Sequence, residues 1–166
     1  MSRALVIVDI QNDYFPGGAL PLWEAEAVER RIVAAIAKAR QAGDAVVLIQ
    51  HLSPATSGLF ALDSPGSALR PAILAAAPDA PVVTKEVADA FQGTTLASRL
   101  DGVDELLIGG MMTQNCIAFT TLAALAAGRA VTVVGDLCTA PLEVVHRIAL
   151  NALASKTAVR NAAELW

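Results

Sequence analysis

Leu106-Leu107-Ile108-Gly109-Gly110-Met111-Met112-Thr113-Gln114-Asn115-Cys116 is the stretch that decides how the chain is read. An apolar run breaks at two glycines, and after a few small or polar residues a helical pattern begins, with Ile117, Leu122 and Leu125 among alanines and threonines. The pattern predicts strand, tight turn, helix. Cys116 then falls in the first helical turn, where unpaired backbone N–H groups and the positive end of the helix dipole favour an anion. A thiolate is such an anion, and so is a developing oxyanion. A thiol with an ordinary pKa of about 8.5 is drawn toward neutrality in that setting, which makes Cys116 a candidate nucleophile. The alternative is a small buried hydrophobe, the usual fate of a free cysteine.

Working outward, the same alternation of strand and helix recurs along the chain. Residues 4–10 form a near-continuous β-branched and apolar run, as expected of a strand covered on both faces, with Asp9 at its C-terminal end. Residues 24–42 carry Val28, Ile32, Val33 and Ile36 on one helical stripe, and Gly43 ends the helix. Residues 45–49 are a second strand with Gln50 and His51 at its tip, 67–76 a short helix, and 81–84 a third strand that delivers Lys85. A helix cap at Thr94 or Thr95 follows. Residues 104–108 lead into the cysteine turn, 130–134 form a fifth strand with Asp136 at its tip, 141–154 a helix and 157–159 a short last strand. This order predicts a single α/β domain over residues 1–166, a parallel sheet with helices on both faces.

Composition narrows the function. Twelve basic residues against sixteen acidic ones give a net charge of -4, and the basic ones are dispersed, so the footprint of a nucleic-acid binder is missing. No apolar run approaches the length of a membrane span, and the N-terminal apolar segment is too short for a signal peptide, so a cytoplasmic location is expected. Cys116 and Cys138 show no metal-binding or redox spacing. Neither a dinucleotide fingerprint nor a phosphate-binding loop is present. The expected partner is a small molecule.

Asp9, Lys85 and Cys116 all fall at the C-terminal edge of the inferred sheet, where open α/β proteins bind ligands. Around them, Tyr14 and Phe15 lie in a turn-rich loop, where they are either pocket walls or a plug against the core. Phe60, in the long loop 53–66, and Phe91 are further candidates for substrate contact. His51 reads as a hydrogen-bonding pocket residue, because residues 52–68 add no histidine and only Asp63 as an acid for a metal site. His146 is the rival partner for the thiol, but its apolar neighbours on the last helix favour a structural role. Cys138 is the less suitable nucleophile, since no helix start follows it so directly.

Residues 8–20 (Val-Asp-Ile-Gln-Asn-Asp-Tyr-Phe-Pro-Gly-Gly-Ala-Leu), Lys85 with the later Ala90-Phe91-Gln92-Gly93-Thr94, and Gly109-Gly110-Met111-Met112-Thr113-Gln114-Asn115-Cys116 resemble the isochorismatase-like cysteine hydrolases, which include nicotinamidases. That resemblance implies a three-layer α/β/α sandwich around a six-stranded parallel sheet of order 3-2-1-4-5-6. It implies an Asp9–Lys85–Cys116 triad, a cis peptide between Met111 and Met112, and an oxyanion hole made by the Met112 and Cys116 amides. Homodimers or homotetramers are also implied. The chain departs from metal-binding nicotinamidases, which resemble one another in an Asp-x-His element after strand two where this chain has Gln50-His51-Leu52-Ser53. The expected activity is therefore metal- and cofactor-independent cleavage of a small amide or carbamoyl C–N bond. The alternatives are a vinyl-ether hydrolase, a nicotinamidase, a small-molecule binder and a redox-responsive thiol.

Overall fold

The computed structural model describes residues 1–166. Six parallel strands make one sheet of order β3-β2-β1-β4-β5-β6: β1 (Arg3–Val8), β2 (Ala45–His51), β3 (Val82–Lys85), β4 (Glu105–Met111), β5 (Ala130–Thr139) and β6 (Ala158–Arg160). The helices are α1 (Ala25–Gln41), α2 (Pro71–Ala76), α3 (Leu96–Arg99), α4 (Ala118–Ala126) and α5 (Glu143–Ala154). Strand side chains alternate between faces, which is how one sheet supports two cores. Leu5, Ile7, Val46, Leu48 and Leu107 pack with Val28, Ile32 and Ile36 of α1 and Ile73 of α2. Ala4, Val6, Val8, Val47, Ile49 and Ile108 pack on the other face with Leu96 of α3, Ala124 of α4 and Leu153 of α5. The expected α/β/α sandwich and its strand order are both present.

The helix expected over 67–76 begins only at Pro71, after a separate short turn at Pro65–Ser67. Two strand ends differ by more than two residues, and both matter for the site. The glycines do not break β4; the strand runs through Gly109 and Gly110 to Met111. Glycine is required there because β4 lies against β1: a Cβ on Gly110, whose φ is +131°, would stand 2.1 Å from the Val8 carbonyl oxygen. The fifth strand also continues past residue 134, with a bulge in its pairing to β4 between Ile108 and Gly110, so Asp136 lies inside the strand and not at its tip. Asp136 accepts a hydrogen bond from the Ala162 amide at 2.8 Å and takes no part in the site. No helix is long and apolar enough to cross a membrane.

Candidate active site

The strand order reverses between β1 and β4, and the side chains with chemistry gather above that point, where the loops diverge and leave a crevice. Asp9 follows β1 in a left-handed conformation, φ +56°, a region that Asp tolerates better than most residues. Its amide donates to the Ile49 carbonyl at 3.0 Å, tying the turn to β2. His51 and Lys85 face each other in register at the ends of β2 and β3. Beyond β4 the Met111–Met112 peptide is cis. The chain then makes a wide turn over Thr113–Ile117, in which the Ile117 amide reaches back to the Met112 carbonyl at 3.2 Å, and this turn leads into α4. Cys116 sits in it and is 1% exposed.

These placements converge on one cation. Lys85 Nζ lies 2.9 Å from Asp9 Oδ2, 3.0 Å from His51 Nδ1, 3.0 Å from the Val87 carbonyl oxygen and 3.2 Å from Cys116 Sγ. An ammonium has three protons to donate, so four neighbours over-subscribe it and hold it centrally. Asp9 and Lys85 are buried, and the second carboxylate oxygen of Asp9, Oδ1, has no hydrogen-bond partner. A buried carboxylate with a free oxygen is poised to take a proton. The Asp9, His51 and Cys116 donor atoms lie within 4.8 Å of one another, a spacing that suits a metal ion. Lys85 Nζ already stands among them, so a divalent cation there would meet an ammonium at contact distance, and the set does not fit a metal.

Burial dominates the electrostatics. It pushes the Cys116 thiol up to about 12, with the Asp9 carboxylate adding to the rise and Lys85 opposing it. The helix-start setting had predicted the opposite direction. The turn does supply a favourable dipole, but removal from water and a neighbouring carboxylate outweigh it. Asp9 is likewise raised, by desolvation, with Lys85 and the Cys116 thiol pulling the other way. His51 is lowered to about 4 by burial and then by Lys85, so at neutral pH it is uncharged and accepts through Nδ1 from the ammonium. At neutral pH Cys116 is a neutral thiol, and the Asp9 carboxyl beside it holds a proton more readily than an ordinary carboxylate does.

The aromatic candidates divide. Tyr14 and Phe60 meet edge to face at 4.7 Å, and Phe60 stacks against His51 at 5.6 Å, so these three pack in one row that ends at the partner of Lys85; both Tyr14 and Phe60 are buried in the core. Tyr14 feels the Asp9 carboxylate and Cys116, which reinforce the upward shift that burial gives its phenol. Phe15 is the plug: it is buried in the core with the Arg70 guanidinium 4.1 Å from its ring centre. Phe91 packs against the opposite core, and its neighbours Gln92 and Gly93 are the residues that line the cleft. That cleft, about 440 Å³, opens onto Lys85 between Leu52, Ser53, Glu86 and Gln92. His146 does not reach Cys116; its Nδ1 lies 2.7 Å from Thr113 Oγ1.

Sequence reasoning missed Gln11 and the Val87 carbonyl. Gln11 Nε2 donates to the His51 and Ser67 carbonyls, each at 2.7 Å, and its Oε1 accepts from the His51 amide at 2.9 Å. It clamps the end of β2 beside the site. Its position two residues after Asp9 was the one available signal, and a backbone carbonyl such as Val87 leaves none.

Comparison with known proteins matches residues 3–164 to the isochorismatase domain. The nicotinamidase of Escherichia coli (strain K12) is 30% identical over 175 aligned positions, covering 82% of this chain and 82% of that protein. The streptothricin hydrolase of Streptomyces noursei is 35% identical over 136 positions, covering 81% of this chain and 48% of that protein. A crystal structure described as a putative isochorismatase hydrolase from Oleispira antarctica superposes with a TM-score of 0.92 at 32% identity, covering 99% of this chain and 95% of that one.

Proposed function

Since the chain belongs to the isochorismatase family of hydrolases, we propose that it cleaves the C–N bond of a small amide or carbamoyl compound by covalent catalysis at Cys116. The observation that carries this reading is the Lys85 ammonium held 2.9 Å from Asp9 and 3.2 Å from Cys116 in a buried site. Asp9 takes the thiol proton as Cys116 Sγ attacks the carbonyl carbon, so a thiol that burial keeps protonated becomes a thiolate only as it reacts. Lys85 balances the charge that passes between them. The Met112 and Cys116 amides receive the oxyanion. Asp9 returns the proton to the departing nitrogen, leaving a thioester, and a water activated by Asp9 then releases the acid and restores the thiol.

The cleft of about 440 Å³ that borders Lys85 has the size for a small molecule, and the buried row of Tyr14, Phe60 and His51 backs the residues that would meet it. Relatives named nicotinamidase and streptothricin hydrolase support a hydrolase of nitrogen-containing small molecules. No cofactor enters this scheme. We extend the proposal to a homodimer or homotetramer: Phe119, Leu122, Leu142, Val144 and Ile148 are each exposed on α4, α5 and the turn before α5, and Leu122 and Ile148 line one apolar groove between the two helices. The test is ammonia release from a panel of small amides and carbamoyl compounds. Activity in wild type that disappears in Cys116→Ser supports the proposal, and activity retained in Cys116→Ser refutes it.

A further inference from the structure

The turn that carries Cys116 is anchored at its first residue by a buried histidine outside the triad. Thr113 is fully buried, His146 is 8% exposed, and Thr113 Oγ1 and His146 Nδ1 lie 2.7 Å apart. This bond links two elements that are distant in sequence, the nucleophile turn and the first turn of α5. The imidazole also packs against the Trp23 ring at 5.9 Å, and the Trp23 backbone is tied down by its amide, which donates to the Ala140 carbonyl at 3.0 Å. A polar cavity of about 310 Å³, lined in part by Asp136, Arg160 and Glu164, borders His146 on the side of β5 and β6. His146 thus packs against the indole and borders that cavity, with its Nδ1 bonded to the turn.

We infer that His146 is a positioning residue: through Thr113 it fixes the turn that carries Cys116 and sets where Sγ lies relative to Lys85 and Asp9. The turn needs such an anchor. It departs from α-helical geometry at Thr113–Ile117, and wide turns of that kind are frequent at functional sites, where local hydrogen bonding is weaker than in a regular helix. A shift of Sγ by a fraction of its 3.2 Å separation from Lys85 Nζ breaks the contact that balances the thiolate. Thr113 hydroxyl and imidazole bond in either ring tautomer, so the anchor does not depend on which nitrogen carries the proton.

The inference rests on Cys116 being the nucleophile, and its test separates the two ideas. Iodoacetamide alkylation of Cys116, followed by peptide mass mapping to distinguish it from Cys138, is measured for Thr113→Val, Thr113→Ser, His146→Leu and His146→Asn. Valine and leucine remove the bond, and are expected to slow Cys116 alkylation about tenfold. Serine and asparagine keep a hydrogen-bonding group at the same place, and are expected to stay within about twofold of wild type. The double variant Thr113→Val/His146→Leu is expected to be no slower than either single one, because both delete one bond. A Thr113→Val protein that reacts like wild type, or a His146→Asn protein as slow as His146→Leu, overturns the inference. If His146→Leu does not fold, the nearly isosteric Thr113 pair decides. Hydrogen exchange of the amides at 113–117 needs no reactive thiol: exchange unchanged in Thr113→Val overturns the anchor. Faster exchange beside an inert wild-type Cys116 supports the anchor and overturns the nucleophile.

Discussion

At the scale of single residues, the site is governed by one desolvated cation and the groups around it. Removing any of the three central side chains leaves its partners buried and unbalanced, so Cys116→Ala, Lys85→Ala and Asp9→Asn are each expected to lower turnover about 10³-fold or more. Circular dichroism and the thermal midpoint check that Cys116→Ala remains folded. Asp9 must be ionised to act as base, and desolvation raises its pKa, so kcat/KM falls with decreasing pH through a limb above the ordinary carboxylate value of 3.8. Titrating the rate on an amide substrate from neutral to acid pH locates that limb; a rate flat down to pH ~3.8 contradicts the role given to Asp9. His51 gives a second pH effect, on stability. Its pKa is 6.5 unfolded and about 4 folded, so the unfolded chain binds the proton first. Stability associated with His51 is full above 6.5 and drains as pH falls toward 4. Denaturant melts across that window are expected to be flatter in His51→Gln. Sequence patterns put Asp9 just past β1 and Cys116 in the turn that opens α4, where the structure has them, but not the direction of the thiol shift, because depth of burial is set by loops that arrive from elsewhere in the chain.

At the scale of elements, the site depends on how closely neighbouring pieces approach. Asp13 joins two loops: its carboxylate accepts from the Ala19 amide at 3.1 Å and the Phe60 amide at 2.7 Å, and a Cβ on Gly66 would stand 2.1 Å from its Oδ1. Replacing Asp13 with alanine leaves the buried Phe60 N–H without its partner and is expected to cost about 1–3 kcal/mol, together with a rise in KM as Phe60 loosens. Chemical denaturation and steady-state kinetics check the two effects. Gly110→Ala is expected to be at least as damaging, through both its φ and its contact with Val8, and to show as loss of folded protein on expression. These close approaches explain what sequence patterns conveyed and what they did not. Periodicity located every strand of the sheet, and it bounded α1 and all strands but β4 and β5 to within two residues. It misread Gly109 and Gly110 as a break, since glycine chosen for close strand packing looks the same as glycine chosen for a turn. It ended β5 early because a bulge interrupts the apolar run at Gly135 and Asp136. Phe15 and Phe91 were indistinguishable from Tyr14 and Phe60 until the loops were placed.

At the scale of the whole molecule, a sheet whose order reverses at β1 and β4 brings four successive strand ends together, and the chemistry follows from that topology. Lys85 supplies the central positive charge from within the chain, so dialysis against a chelator is expected to leave turnover unchanged; a loss restored by adding a divalent metal ion contradicts this. The apolar face of α4 and α5 is expected to be covered by a second copy, so light scattering gives a dimer or tetramer mass, and Val144→Asp/Ile148→Asp lowers it. The central claim is covalent catalysis at Cys116. It is tested most directly by intact-protein mass spectrometry of wild type and Cys116→Ala, quenched in acid within milliseconds to seconds of mixing with small amides and carbamoyl compounds. The account predicts, for a compound that is hydrolysed, a mass increase equal to its acyl group on wild type alone, mapped to Cys116. Hydrolysis that proceeds equally in Cys116→Ala, with no acyl adduct on the wild-type protein at any quench time, contradicts it.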